Sequence, residues 1–537
     1  MSPPLRAAHV IRYGERVVAR IEMSREVLTT PPVSTDPRGV GALLASAAAR
    51  WPDRVALLSA EEEPRRATYA ELDASARRAA GRLRAAGVQP GDRVALIATN
   101  GLDVVTAWFG IAYAGATVVP ILILSAAAEI AFRLEHSNCA AIVHDEGRAD
   151  LAEASAGTRR RIPIADLTDD GPAPGNLPES IDPTSGAMIL YTSGTTGRPK
   201  GAVISHQTLL AHAQGIGDHA LGLGENDRVL GVLPLAHSYG LRMVLLATFR
   251  AGCCAVLVPR FDAAKTLELA RREKITWIAA VPTMFSAWAA LPEGPTVESL
   301  RWCLSAGSPL AEEILHRAER RLGAKIRQGY GMTEATFSTI NSPPDERVID
   351  SVGRPAHGVE VRVTAENGRD VAAGETGEVR VRGRNLMSGY LDDKPATALA
   401  LGDGWMRTGD IGRLDETGRL YVVDRVKDMI IRGGYNVYPS ELEAVLAEHP
   451  DVREVAVVGR PDPHYGEEIV ALIVPNPNAH PDLAALRAWA TQHVARNKLP
   501  REWAILESLP LGPSQKVLKR ELRDRVADGR IAVERVE

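Results

Sequence analysis

Cysteine is scarce in this chain. The four present, Cys139, Cys253, Cys254 and Cys303, form no Cys-x-x-Cys pair, and none stands beside a histidine cluster with metal-ligand spacing. That usage fits a reduced, cytoplasmic setting. An excess of either charge is also lacking: the formal net charge is -4 and the pI about 6.4. There is no basic footprint for nucleic acid and no polybasic membrane patch, so nucleic acid is not expected as a partner. The N-terminal stretch MSPPLRAAHVIRYGERVVARIEM has scattered charges and no uninterrupted apolar region, so it does not read as a secretory signal. One charge-free run, Val104 to Ala128, is long enough to cross a bilayer. Gly110, Gly115 and Pro120 break it, and TVVPILIL after Gly115 reads as a β-branched strand following a buried helix, so no membrane span is expected. Internal repeats and low-complexity tails are absent.

What is present is a long globular chain. With 537 residues it exceeds one ordinary hydrophobic core, so a large domain plus a smaller one is expected. Its 45% hydrophobic and 24% charged residues and mean hydropathy of -0.09 lie in the soluble globular range. From Arg38 to Pro282, helix-like segments alternate with apolar strand-like ones such as VALLSA, RVALIAT, CCAVLVP and TWIAAVP. This alternation predicts an α/β fold of parallel-type sheets covered by helices. A helix is expected after Pro309, with Ser308 as its N-cap. After about Ser342, short strands with Gly turns (VEVRVT, GEVRVRG, RLYVVDRV) predict a β-rich subdomain. Beyond Asp424 a small α+β unit begins, whose first helix opens on the capping-box pattern Ser440-Glu441-Leu442-Glu443. The expected organisation is 1–423 for the large domain, 424–427 for a hinge and 428–537 for a small mobile domain.

The strongest chemical signal is Tyr191-Thr192-Ser193-Gly194-Thr195-Thr196-Gly197-Arg198-Pro199-Lys200-Gly201, after the apolar strand AMIL and before a helix capped by Ser205. Glycines and small hydroxyl residues let backbone N–H groups and side chains close around phosphate oxygens, and a lysine adds a point charge. It is not a Walker A loop, because Pro199 stands where that loop has Gly and Lys200 is followed by Gly201. A bland strand-to-helix turn would account for the glycines but not for so specific a string.

This string resembles the nucleotide-binding signature of the acyl-adenylate-forming enzymes, which include acyl-CoA synthetases, adenylation domains of peptide synthetases and beetle luciferases. Further matches follow in order: PLAHSYG at Pro234–Gly240, SAGSPL at Ser305–Leu310, QGYGMTEAT at Gln328–Thr336 and GWMRTGD at Gly404–Asp410. DRVKDMIIRGGYNVYPSELE at Asp424–Glu443 and PSQKVLKREL at Pro513–Leu522 complete the set.

The resemblance implies ATP-dependent adenylation of a carboxylic acid, followed by acyl transfer to a thiol. It implies that Thr192 to Lys200 hold the β- and γ-phosphates. Thr333 would contact the α-phosphate, and Glu334 would bind Mg²⁺ bridging phosphate oxygens. Tyr330 would face adenine, with Gly307, Ser308 and Pro309 on its other side and Gln328 and Gly329 beside it. Asp410 would accept hydrogen bonds from the ribose hydroxyls, with Arg425 near the same sugar. His237, Ser238, Tyr239 and Gly331 would line the acyl pocket. Lys516 would pair with the reacting carboxylate and the α-phosphate, although Gln515 replaces the Gly that usually precedes this lysine. Rotation about Lys427 would then withdraw Lys516 and present the face of Gly433 and Gly434 to a pantetheine arm.

Coenzyme A is the expected acceptor, since Tyr435 before Asn436 resembles acyl-CoA synthetases and no carrier domain is expected after Glu537; the alternative is an adenylating enzyme that stops at the acyl-AMP or passes the acyl group to a carrier protein or an amine. No acidic residue in PLAHSYG marks an amino-acid ammonium group, which leans towards fatty, aryl or alicyclic acids. A third reading is a nucleotide-binding regulatory protein that has lost catalysis; retention of Lys200, Glu334, Asp410 and Lys516 argues against it.

Overall fold

The structure is a computed structural model that describes residues 36–536 apart from 62, 158, 170, 172–175, 193–198, 434 and 513–516. Among the described residues the strands form four sheets, of nine, seven, four and six strands. The nine-stranded sheet has a parallel centre built from Val55–Ser59, Cys254–Leu257, Arg228–Gly231, Trp277–Ala280, Trp302–Ser305 and Lys325–Met332. The seven-stranded sheet has a parallel core of Gly186–Thr192, Thr117–Pro120, Arg93–Ile97, Ala141–His144 and Arg160–Pro163. Alternation explains why Arg93–Ile97 reads as a continuous apolar run. Val94 and Leu96 enter the main core, while Ala95 and Ile97 enter a second cluster on the other face. The charge-free run resolves into the buried helix Leu102–Tyr113 and the strand Thr117–Pro120. No helix among the described residues is long and apolar enough to cross a membrane.

The β-rich segment forms a four-stranded antiparallel sheet of Val359–Thr364, Gly377–Gly383, Met406–Leu414 and Leu420–Arg425. Beyond it the small domain has its own six-stranded sheet and its own core. In its strand Gly466–Pro475, Ile469, Ala471 and Ile473 face one apolar cluster, and Val470, Leu472 and Val474 face another. Both faces of this sheet are therefore covered, as a separately cored unit requires.

Three local expectations are corrected. The helix expected from Pro309 begins at Glu312 with Ala311 as its N-cap, which leaves Gly307–Pro309 as an exposed loop. The helix Pro439–Ala447 has Tyr438 as N-cap and no capping box. Ser440 instead turns back to the preceding strand: its amide donates to Asp424 Oδ2 (2.9 Å), and its hydroxyl reaches that oxygen and the Val423 carbonyl. Finally, the phosphate-loop motif joins strand to strand, because Lys200–Ser205 pairs antiparallel with Gly186–Thr192 before the helix His206–Gly217 starts. Ser205 caps that helix as expected, accepting from the Thr208 amide.

Candidate active site

The site is organised by one hairpin. Strand Lys325–Met332 turns at residues 333–335 and returns as Thr336–Ile340, with a register shift between Tyr330 and Gly331. The two arms approach so closely that a Cβ on Gly331 would lie 2.1 Å from the Thr336 carbonyl oxygen and 2.8 Å from Phe337 Cα. Only glycine fits there. This geometry puts Tyr330 on one arm and Glu334 in the turn, each aimed at a different set of partners.

Glu334 is no solvated helix-start residue: it is 6% exposed and sits in the tight turn. Its Oε1 accepts from the Tyr390 hydroxyl (3.0 Å) and the Thr192 hydroxyl (3.3 Å). Thr192 ends its strand directly opposite Lys200. The Lys200 ammonium lies 5.1 Å from the centre of the Tyr390 ring, a cation–π contact. Tyr390 is itself pinned on the neighbouring strand Gly389–Tyr390, paired with Ala202, and the next amide, Leu391, donates to the Gly201 carbonyl. Burial, and then the carboxylate of Glu334, raise the pKa of the Tyr390 hydroxyl, which holds it as a donor. Thr192, Lys200, Glu334 and Tyr390 thus form one corner; Thr333 lies beside Glu334 in the turn. Ser193, Gly194, Thr195, Thr196 and Gly197 lie outside the described residues, as do Gly434, Gln515 and Lys516.

The second corner is built on Asp410. Its Oδ2 accepts from the Tyr330 hydroxyl at 2.5 Å, and its Oδ1 is 3.3 Å from Nε of Arg425, its cross-strand partner. Asp410 is buried while the Arg425 side chain is half-exposed. Burial, reinforced by Asp410, pushes the Tyr330 hydroxyl well above the ordinary phenol pKa. Gln328 acts on the loop next door. Its Nε2 donates to the Ile349 carbonyl (2.6 Å) and its Oε1 accepts from the Leu310 amide (3.4 Å), which positions Gly307–Pro309. Gly329 lies against Phe337 and Leu304.

The expected acyl-pocket residues adjoin this hairpin. Tyr239 is buried, its ring 5.1 Å from that of Phe337 and its hydroxyl donating to the Leu304 carbonyl (3.0 Å). Ser238 is buried beside it, and His237 Nδ1 accepts from the Tyr239 amide (3.2 Å). Asn100 pins the start of the segment, donating to the Leu233 carbonyl and accepting from the Leu235 amide. Lys427 lies in the exposed turn after Arg425. Gly433, at φ +57, turns the hairpin between Ile430–Arg432 and Tyr435–Val437. Leu511 and Val517 form an isolated antiparallel bridge, and Lys519 pairs with Glu443 (2.6 Å).

Motif reading missed Tyr390, whose hydroxyl meets Glu334, and Asn100, which pins the segment leading to His237.

Comparison with known proteins agrees with this architecture. The AMP-binding enzyme family matches residues 44–391, and the AMP-binding enzyme C-terminal domain matches residues 441–516. A feruloyl-CoA synthase of an Amycolatopsis species is 37% identical over 485 residues, covering 88% of this chain and 98% of the relative. A sulfoacetate–CoA ligase of Cupriavidus necator is 35% identical, covering 90% and 97%. Among solved structures, ATP-bound MatB from Rhodopseudomonas palustris superposes with a TM-score of 0.85 at 29% identity, covering 91% of this chain and 99% of that one. O-succinylbenzoate coenzyme A synthetase from Bacillus subtilis, in complex with ATP and magnesium ion, gives 0.82 at 31% identity, covering 90% and 99%. The chain belongs to the AMP-binding enzyme family. It is an acyl-adenylate-forming enzyme of the acyl-CoA synthetase type, with a large N-terminal and a small C-terminal domain.

Proposed function

We propose that this protein joins a carboxylic acid to coenzyme A in two half-reactions driven by ATP. In the first, a carboxylate oxygen attacks the α-phosphorus; the new O–P bond forms as the bond to pyrophosphate breaks, leaving acyl-AMP. In the second, the thiolate of coenzyme A attacks the acyl carbon and AMP departs. The observation that carries this reading is the Tyr330–Glu334 hairpin, which joins a phosphate-type corner (Thr192, Lys200, Glu334) to a ribose-type corner (Asp410, Arg425) within five residues of chain.

Charge is the central difficulty of the first step, because two anions must meet. Lys200 and the loop from Thr192 grip the triphosphate. Glu334 is a buried acceptor-only carboxylate beside a hydroxyl, a donor set that would suit Mg²⁺ supplied together with the nucleotide; no group of three or more His, Cys, Asp or Glu among the described residues could hold a metal by itself. Mg²⁺ bound there would neutralise charge on the leaving pyrophosphate. Thr333 contacts the α-phosphate, Tyr330 and Gly307–Pro309 enclose adenine, and Asp410 with Arg425 fixes the ribose. Lys516 steers the attacking carboxylate. A lysine at the α-phosphate obstructs a thiol approaching the adjacent carbon, so the small domain, residues 428–537, turns on the 424–427 hinge at Lys427. Gly433 and Gly434 then line the thiol's path.

The names of the feruloyl-CoA and sulfoacetate–CoA relatives support coenzyme A as acceptor over an amine or a carrier protein. Incubating purified protein with ATP, Mg²⁺, an acid panel and coenzyme A tests this: acyl-CoA, AMP and pyrophosphate should appear together. Adenylate that accumulates unchanged in the presence of coenzyme A would refute the assignment of acceptor.

A further inference from the structure

The turn that presents Glu334 is closed by a residue whose backbone is strained. Thr336, the first residue of the returning arm, has φ +47, in the left-handed region. Glycine takes that conformation freely, but a β-branched residue there is an outlier, because its Cβ crowds the following carbonyl oxygen. A second cost falls on the same residue. Thr336 is 2% exposed, and its hydroxyl has no hydrogen-bond partner among the described residues; a buried hydroxyl left unpaired is itself destabilising. Glycine would carry neither cost, so local stability does not account for threonine at this position. Such departures from local preference persist where the surrounding structure enforces them, and they concentrate at functional sites.

The contacts around the turn show what enforces this one. Glu334 lies two residues earlier, in a turn closed by the Ala335 amide donating to the Met332 carbonyl (3.3 Å). The segment Asn385–Ser388 clamps its backbone from outside. The Met387 amide donates to the Glu334 carbonyl (2.7 Å), and Asn385 Nδ2 donates to the Ala335 carbonyl, which also accepts from Ser338 Oγ (3.3 Å). That segment is tied in turn to the elements that follow Lys200: the Ser388 amide donates to the Val203 carbonyl (2.8 Å), and the Leu386 carbonyl accepts from the Thr208 hydroxyl (3.0 Å). On the inner side the Thr336 carbonyl oxygen occupies the space that a Gly331 Cβ would need. Between the clamp and the paired strand Thr336–Ile340, the torsion at residue 336 sets the angle at which the turn leaves the sheet. For threonine the left-handed region is small, so that angle has one value; glycine ranges over both signs of φ.

We propose that Thr336 is a positioning residue: its narrow, strained backbone conformation fixes the turn so that the Glu334 carboxylate faces Thr192 and Tyr390 before nucleotide and metal arrive. The inference rests on the adenylation reading and adds to it a residue that acts only through Glu334. Freeing φ would let the carboxylate wander, and a misplacement of about 1 Å in a catalytic constellation costs about 100-fold in rate.

Two variants separate backbone from side chain. Thr336→Ala deletes the hydroxyl and the methyl group but keeps φ confined, whereas Thr336→Gly deletes them and frees φ as well. For each, the urea midpoint, the calorimetric Kd for MgATP and the rate of acid-dependent exchange of labelled pyrophosphate into ATP are measured. The expected result is an inversion of stability and function. Thr336→Gly should have the higher urea midpoint of the two, because the left-handed strain is gone. If its turn holds the competent geometry about a tenth of the time, Kd for MgATP rises about 10-fold, and exchange should slow by about 10- to 100-fold. Thr336→Ala should stay within about threefold of wild type in both Kd and exchange rate. Equal losses of function in the two variants, or a Thr336→Gly enzyme that binds and exchanges as well as Thr336→Ala, would overturn the inference and leave Thr336 a packing residue. A lower urea midpoint for Thr336→Gly than for Thr336→Ala would overturn it too, and that measurement needs no active enzyme. Both of these failures leave wild-type exchange untouched; wild-type protein that exchanges pyrophosphate with no acid would overturn the adenylation reading and the inference with it.

Discussion

Replacing Tyr330 with Phe isolates a single contact at the ribose corner. The Tyr330 hydroxyl and Asp410 Oδ2 are 2.5 Å apart, and the carboxylate is 6% exposed. A buried hydrogen bond to a charged acceptor contributes about 1.5–3 kcal/mol. Phe keeps the ring, and with it the surface proposed to face adenine, so the loss falls on the carboxylate alone. Because the bond exists before nucleotide arrives, its removal should lower folding stability by about 1.5–3 kcal/mol, read as a shift in urea midpoint with unchanged slope. The carboxylate, still paired with Arg425 but no longer fixed by the Tyr330 hydroxyl, should also hold the proposed ribose less well. At 1.36 kcal/mol per decade, the upper bound on weakened ATP binding is roughly 10- to 150-fold; a KM for ATP raised about 10-fold with kcat changed less than about threefold is the expected outcome. Tyr330→Leu, which removes the ring as well, should raise KM further. Unchanged stability and unchanged KM in Tyr330→Phe would refute the reasoning, leaving Tyr330 a stacking surface only.

Glu334→Gln keeps an acceptor for Tyr390 and Thr192 but removes the charge, so adenylation should slow roughly 100- to 1000-fold and the Mg²⁺ concentration needed for half-maximal rate should rise. Lys516→Ala should slow adenylate formation by roughly 100- to 1000-fold while thiolysis of supplied adenylate survives; equal loss in both half-reactions, measured separately, argues against a rotating domain. Gly331→Ala places a methyl 2.1 Å from the Thr336 carbonyl oxygen, and a loss of more than about 2 kcal/mol in chemical denaturation is expected. His206 is buried and neutral, its Nδ1 accepting from the Val40 amide (3.1 Å), and burial lowers its pKa to about 4 from 6.5. The unfolded chain binds that proton first, so stability should be full above pH 6.5 and fall as pH drops from 6.5 towards 4, by about 3 kcal/mol; His206→Asn should flatten that part of the profile.

The parallel sheets could be read from the residues because strands buried on both faces need continuous apolar runs, and Arg93–Ile97 and Cys254–Leu257 have them. The residues that the structure gathers around the Tyr330–Glu334 hairpin could be named from the sequence because the proposed phosphate and ribose chemistry demands glycines, hydroxyls and charges in a fixed order. What escaped depended on partners distant in sequence. Ser440 looked like a cap on its own helix, yet Asp424, sixteen residues earlier, captures both its amide and its hydroxyl. Ser308 looked like a helix start, but Gln328 holds the backbone at Leu310 and the helix begins after it. Tyr390 and Asn100 lie in segments with no charged or glycine-rich signature of phosphate chemistry, and only the strand pairing of Gly389–Tyr390 with Lys200–Ser205 brings Tyr390 to Lys200.

Transfer of label from pyrophosphate into ATP, with acid present and coenzyme A omitted, isolates the first half-reaction from the choice of acceptor. Exchange that requires acid, ATP and Mg²⁺ together, and that collapses in Glu334→Gln and Lys516→Ala, is the predicted result. Exchange that proceeds without acid, or that survives both substitutions at the wild-type rate, would contradict the idea that this cleft joins a carboxylate to the α-phosphate.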